Sequence, residues 1–295
     1  MKGTYRVYKG GLLVAEQDNL ITNLGRTIIL RYLAGNIGSF AGAIAAGAQH
    51  KAAVVTDTKL GFEFMRGAIT VSAPMVQSNT VVYKASMPLN SAGRVYELGL
   101  YPHLTQTNAE YAGNLFIGFD PATESLTGGG ANTTNYRTGA ESYAVGAAAG
   151  ASTTAAATAI RGNFGVYDPT DTFSLGYFLN DANTASIAVR LLVDSSNYFT
   201  YTVTTGTATG YFVADFDKSS FVWTGLPSWD NVTRAEFVVT ARAGGATSVN
   251  LDGMRINDTD VYPEYALVSR TVLATPVTKA SGEQMDIEYT LGFNL

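Results

Sequence analysis

The 295-residue chain contains no cysteine, two histidines and two tryptophans. Without cysteine there is no disulfide framework, no thiolate metal site and no thiol nucleophile. Charge is scarce as well: Asp, Glu, Lys and Arg make up 15% of the residues, against about 25% in an average soluble domain. The surface must therefore be built largely from Ser, Thr, Asn, Gly and Ala, which suits a subunit covered by neighbours. The net charge is −5 and no run of Lys or Arg occurs, which argues against nucleic acid, because phosphate neutralisation needs clustered basic groups. No stretch reaches the roughly 18 apolar residues needed to cross a bilayer, so no membrane insertion is expected. The start, MKGTYRVYKGG, lacks the apolar core of a secretion signal. It implies synthesis in the cytoplasm without an export signal.

Length and hydrophobic content, 46% of residues, fit two globular domains of about 100 to 150 residues each. Residues 4–8 and 12–17 flank Lys9-Gly10-Gly11 and predict a β-hairpin. A helix follows, capped by Thr22 or Asn23, with Leu24, Ile28 and Tyr32 on one face and Gly35 at its C-terminal end. Residues 37–49 show no clear period and are assigned to loop or short strand. Strands are predicted at 60–65, 69–72, 80–87 and 95–101, with a short apolar run at 115–119. Residues 121–162 turn to Gly, Ala, Ser and Thr and predict an extended connector. Residues 163–262 then alternate short strands with Gly, Asn and Asp turns at intervals of roughly 10 residues, the pattern of an all-β sandwich. The last strands, 263–295, alternate Met285, Ile287, Tyr289 and Leu291 with polar residues, and a lone hairpin is marginal in water. They are therefore expected to close the domain begun by residues 1–120. The fold class predicted is mainly β: an antiparallel β domain with one N-terminal helix, formed by both chain ends, with an inserted β-sandwich jelly roll.

Few residues carry recognisable chemistry. His50 and His103 lie apart from any nucleophile pattern, and neither a serine elbow nor a phosphate-binding glycine loop is present. Carboxylate pairs suitable for glycoside cleavage are Asp168 with Asp171, Asp215 with Asp217, and Asp258 with Asp260, but such spacings are common in β-turns. No catalytic residue is assigned and no enzyme activity is expected. Calcium, which takes several loop oxygens, would use Asp168, Asp171 and Asp252 in a structural site. Otherwise these residues cap turns and no cofactor is needed. Asn231-Val-Thr233 is a glycosylation sequon, expected to stay unmodified without an export signal.

Aromatic residues crowd the second block. Both tryptophans lie in VWTGLPSWDNVTRAEFVV, residues 222–239. Trp is a good core filler and also a flat platform for the apolar face of a sugar ring. Trp223 ends the apolar triplet Phe221-Val-Trp223 and is expected to pack inward. Trp229 follows Pro227-Ser228 in a turn and is the expected exposed ring, with Tyr198 and Tyr201 as further glycan-binding candidates.

The runs FLNDANTASIAVRLLVDSSNYFTYTV and WDNVTRAEFVVTARAGGATSVNLDGMRI resemble concanavalin-like or carbohydrate-binding-module-like jelly rolls, over about a third of the chain. The flanks are similar to structural proteins of tailed bacteriophages: the opening hairpin, Asn19-Leu-Ile-Thr-Asn-Leu-Gly25, Leu60-Gly-Phe-Glu-Phe-Met-Arg66, Tyr96-Glu-Leu-Gly-Leu100 and a closing Asp-Ile-Glu-Tyr. The resemblance implies a non-enzymatic virion subunit of tail, baseplate, fibre or capsid decoration type. It would be a homo-oligomer contacting other virion proteins, with the jelly roll available to host-surface glycan. The alternatives are a carbohydrate-active enzyme or depolymerase with a glycan-binding module, and a bacterial surface glycan-binding protein.

Overall fold

The structure is a computed structural model that describes residues 2–75, 78–104, 115–158, 160, 163–257 and 266–292. It divides into two compact units: Met1–Thr107 together with Asp260–Leu295, and Asn108–Thr259.

Both ends of the chain build the first unit. Its strands are β1 (Lys2–Lys9), β2 (Leu12–Asp18), β3 (Leu20–Ile21), β4 (Ala43–Gly47), β5 (Glu63–Met75), β6 (Thr80–Ser86), β7 (Gly93–Tyr101), β19 (Ser269–Lys279) and β20 (Met285–Gly292). The sheet order is β2-β1-β20-β6-β5-β4-β7-β19-β3. Its two outermost strands, β2 and β3, are one nearly continuous stretch of chain, so the sheet wraps round on itself. At the seam the Thr271 hydroxyl donates to the Asp18 carbonyl at 2.7 Å. Tyr5 of β1 and Ser269 of β19 share a hydroxyl hydrogen bond of 2.8 Å across the interior. The hairpin turn works because Gly10 and Gly11 both take positive φ, 54° and 82°, the combination of a type I′ turn.

The one α-helix among the described residues, α1 (Asn23–Leu33), is capped by Thr22, whose side-chain oxygen accepts from the Gly25 N–H at 2.8 Å. Its buried face is Gly25, Ile28 and Ile29 rather than the predicted Leu24, Ile28 and Tyr32, and Tyr32 is exposed. Residues 37–49 contain a fully buried central strand, β4, whose small residues Ala43, Ala45, Ala46 and Gly47 allow close packing. The predicted strands 60–65 and 69–72 are one strand, β5.

The interior of this unit is pinned by one carboxylate. Glu97 on β7 is fully buried and accepts the N–H groups of Gln49 (3.2 Å), Gly61 (3.0 Å) and Phe62 (2.8 Å). It also accepts Arg270 Nε at 2.8 Å, and Arg270 in turn holds Asp57 at 2.8 Å.

The second unit is a two-layer sandwich. Its strands are β8 (Leu126–Thr127), β9 (Gly130–Asn132), β10 (Ser142–Ala147), β11 (Ser152–Ala157), β12 (Thr172–Leu179), β13 (Thr184–Leu192), β14 (Tyr198–Thr204), β15 (Gly210–Asp217), β16 (Val222–Thr224), β17 (Arg234–Ala241) and β18 (Thr247–Asn257). One sheet runs β15-β12-β18-β10-β9 and the other β16-β14-β13-β17-β11-β8. The chain passes between the sheets in the pairs β10/β11, β12/β13, β14/β15 and β17/β18. That interleaving of eight antiparallel strands is a jelly roll. Between the sheets lies one apolar cluster, including Val145, Phe173, Leu175, Ile187, Val189, Phe237, Val239 and Leu251.

The predicted connector, 121–162, is corrected by this topology. β10 and β11 are inner members of the two sheets, paired with β18 and β17. Tyr143, Val145 and Ala147 point inward; the small residues around them are packed strand, not linker.

Candidate functional site

One end of the sandwich gathers the aromatic residues. β16 is the outermost strand of the six-stranded sheet, and its Trp223 pairs directly with Phe199 of β14. Residues opposite one another in an antiparallel pair share a face, so Trp223 lies on the inner face of the sheet. The opposing sheet has five strands and does not cover it: Trp223 is 69% exposed, and its neighbours Val222 and Leu226 are 70% and 93% exposed. After β16 the chain reverses at Gly225, where φ is 69°. A Cβ there would sit 2.4 Å from the Ser196 carbonyl and the Asn197 side chain. The turn is fixed by the Leu226 N–H donating to Asn197 Oδ1 at 2.8 Å.

A one-turn 3-10 helix, Trp229–Asn231, with Ser228 at its start, then returns the second tryptophan to the core. Trp229 stacks on Phe199 with ring centroids 3.7 Å apart and planes within 9°, and packs edge-on to Phe221 at 5.4 Å. The expected exposures are therefore reversed: Trp229 is the half-buried core ring and Trp223 the open one. The remaining glycan candidates do not form a strip with Trp229. Tyr201 faces inward and stacks on Phe216 at 4.2 Å. Tyr198, three residues earlier on the same strand, faces the other way and lies against the Arg190 guanidinium at 5.7 Å. Strands alternate faces, so Tyr198 and Tyr201 cannot contact one ligand face together.

Trp223, Trp229, Phe199, Phe221, Pro169, Ser219 and Lys218 line a shallow cleft of about 320 Å³. Lys218, in the turn after β15, is its charged member and is buried. Its Nζ donates to the Phe164 carbonyl at 2.7 Å and to the Tyr167 carbonyl, and lies 5.2 Å from the centre of the Trp229 ring. Burial pulls its pKa down, while the carboxylates of Asp171, Asp168 and Asp230 work in the other direction. The ammonium thus ties the 164–171 loop to Trp229 as an internal cation. Lys218→Met keeps the stem and removes the three donors. It is expected to destabilise the second unit by about 2 kcal/mol, from two carbonyls left unsatisfied, measured by urea denaturation.

This arrangement explains why the proposed calcium ligands do not converge. Asp168 and Asp171 share a turn in which the Asp168 N–H donates to Asp171 Oδ2 at 2.8 Å. Asp252 lies elsewhere, fully buried on β18, where it accepts the N–H groups of Arg137 (2.7 Å) and Thr138 (3.2 Å). It holds the loop that crosses the outer face of the five-stranded sheet, where Arg137 lies over the Tyr211 ring at 4.1 Å. Among the described residues no group of three or more His, Asp or Glu side chains is placed to hold a metal.

The paired carboxylates are likewise dispersed in structural bonds. Asp215 accepts the Ser174 hydroxyl at 2.5 Å and Asp217 the Thr172 hydroxyl at 3.4 Å. Asp258 and Asp260 lie outside the described residues. His50 stands 6.3 Å from the Tyr96 ring, in the first unit.

No protein-family model matches the chain, and no curated protein matches it. Similarity to solved structures extends over about half the chain. An exo-β-agarase aligns at 10% identity over 51% of this chain and 26% of its own, with a TM-score of 0.37. The family 11 carbohydrate-binding module of Clostridium thermocellum, in complex with a β-1,3-1,4-mixed-linked tetrasaccharide, aligns at 10% identity over 45% of this chain and 83% of its own, with a TM-score of 0.32. The enzymatically active domain of tailspike protein 4 of bacteriophage CBA120 aligns at 12% identity over 47% and 20%, with a TM-score of 0.25. The chain spans 23% of the first of these structures, PfGH50B. The jelly-roll assignment rests on the strand order given above.

Proposed function

We propose that the second unit is a non-catalytic glycan-binding module whose platform is Trp223, displayed by a first unit that assembles with other copies or other proteins of a phage particle. The observation that carries the binding role is the cleft itself: a large, flat, 69% exposed indole held at a fixed register by Phe199 and flanked by Trp229 and Ser219. One face of a pyranose ring is mostly C–H and is attracted to the electron-rich face of an aromatic ring, while its hydroxyls remain at the edge for polar groups and water. A preformed aromatic wall with few polar groups is what such a ligand needs.

The assembly role is supported by the surface of the first unit, which exposes Leu12, Leu13 and Val14 in succession on β2, and Leu30 and Leu33 on α1. Consecutive apolar residues on an outer strand are a pairing surface that monomeric proteins usually protect. The virion setting is supported by the resemblance of the flanks to structural proteins of tailed bacteriophages.

Trp223→Ala tests the binding role. Covering the indole with a sugar face removes about 80 Å² of apolar surface from water, about 2 kcal/mol, so the variant should bind roughly thirtyfold more weakly. Its melting temperature should stay within about 1 °C, because an exposed ring contributes little to the core. Affinity electrophoresis through polysaccharide-loaded gels, with a thermal melt of the same samples, measures both. Unchanged retardation of the variant would contradict the proposal.

A further inference from the structure

The cleft has a charge pattern that bears on what it can hold; the inference rests on Trp223 being the platform. Two of its lining residues each have an exposed aspartate beside them in the chain, Asp168 before Pro169 and Asp230 after Trp229, and both carboxylates act on the Lys218 ammonium in the lining. The only cation in the lining is turned away from the opening. Lys218 is buried, two of its protons go to the carbonyls of Phe164 and Tyr167, and it lies against the Trp229 ring. An entering ligand therefore meets two exposed carboxylates beside the cleft and no presented positive group among the lining residues. A uronate, sulfate or sialate would approach like charges without a partner, whereas sugar hydroxyls can donate to those same carboxylates.

We infer that the platform takes uncharged glycans, and that Asp168 and Asp230 select against acidic ones. This sets substrate class through repulsion rather than an added contact, a recognised route to specificity.

The test uses the full chain and its Asp168→Asn/Asp230→Asn variant, with thermal melts confirming that both are folded. Gels are loaded with mixed-linkage β-glucan, galactan or mannan as neutral polymers, and with polygalacturonate or hyaluronate as acidic ones, at about 20 mM and about 500 mM salt. Retardation by a neutral polymer at both salt concentrations, and not by the acidic ones at low salt, is expected. The double variant should gain roughly tenfold in affinity for acidic polymers at low salt and change by less than about twofold for the neutral one. Retardation of the wild type by an acidic polymer, abolished by Trp223→Ala, would overturn the charge inference and leave the platform standing. A variant that gains nothing for acidic polymers would also overturn it. Retardation by none of the polymers would overturn the platform and this inference together. If the double variant does not fold, Asp168→Asn and Asp230→Asn singly should each give part of the gain, and no gain in either would overturn it.

Discussion

Trp229→Ala is expected to lower the stability of the second unit by about 3 kcal/mol. Removing a tryptophan from a core leaves a void that neighbours only partly fill, at about 3 to 5 kcal/mol, and the half-buried position of Trp229 puts it at the lower end. Three contacts are lost together: the parallel stack on Phe199 at 3.7 Å, the edge contact with Phe221 at 5.4 Å and the stack with Phe173 at 6.2 Å. The Lys218 ammonium also loses the ring beside it. For a unit of about 150 residues this corresponds to a fall of roughly 6 to 12 °C in melting temperature. Near-UV circular dichroism during urea denaturation should show the loss, and Trp229→Phe should recover most of it. A variant as stable as the parent would mean that the ring is not part of the core.

Glu97→Ala should cost the first unit more, about 3 to 5 kcal/mol. Breaking a buried ion pair by removing one partner leaves the other charge uncompensated. Here it leaves Arg270 and the N–H groups of Gln49, Gly61 and Phe62 without their shared acceptor. Amide exchange at those three positions should accelerate before global unfolding does. The carboxyl also has a pH signature. Burial raises its pKa, with Arg270 and the amides of Phe62 and Gly61 opposing the rise. The folded state therefore holds this proton more firmly than the unfolded state does. Its contribution is fully present below the ordinary carboxylate value and is lost as pH rises through the raised one. Glu97→Gln should remove that component of the slope, which urea midpoints between about pH 4 and 7 would show.

Much of the architecture was legible in the chain. The alternation of Tyr5 with Val7, the Gly10-Gly11 turn, the Thr22 cap and the Asn and Asp turns of the second unit are local signals, and the structure follows them. The inward packing expected of Trp223 is not found: the ring shares the inner face with Phe199 but stays exposed. Its exposure was not legible, because that depends on how far the opposing sheet reaches over a three-residue outer strand, a property of the assembled sandwich. The return of Trp229 to the core depends on the Gly225 reversal and the one-turn helix after Ser228, which a turn-rich sequence does not distinguish from an exposed loop.

Residues 121–162 misled for a different reason. Their composition is that of a linker, and only the alternation of Tyr143, Val145 and Ala147 betrayed a strand. Tyr198 and Tyr201 could have been separated from the start, because an odd spacing on a strand puts them on opposite faces. Lys218 was missed because nothing in a local Asp-Lys-Ser turn indicates that two carbonyls fifty residues earlier will close round the ammonium.

The central claim is that a glycan rests on Trp223, and the most direct measurement is quenching of a single-tryptophan protein. In Trp229→Phe the indole of Trp223 is the only one in the chain, and its exposure makes it readily quenched by acrylamide. Titration with a polysaccharide that retards the protein should protect it, lowering the quenching constant in step with binding. Binding of that polysaccharide with the quenching constant unchanged would place the ligand elsewhere and contradict the account.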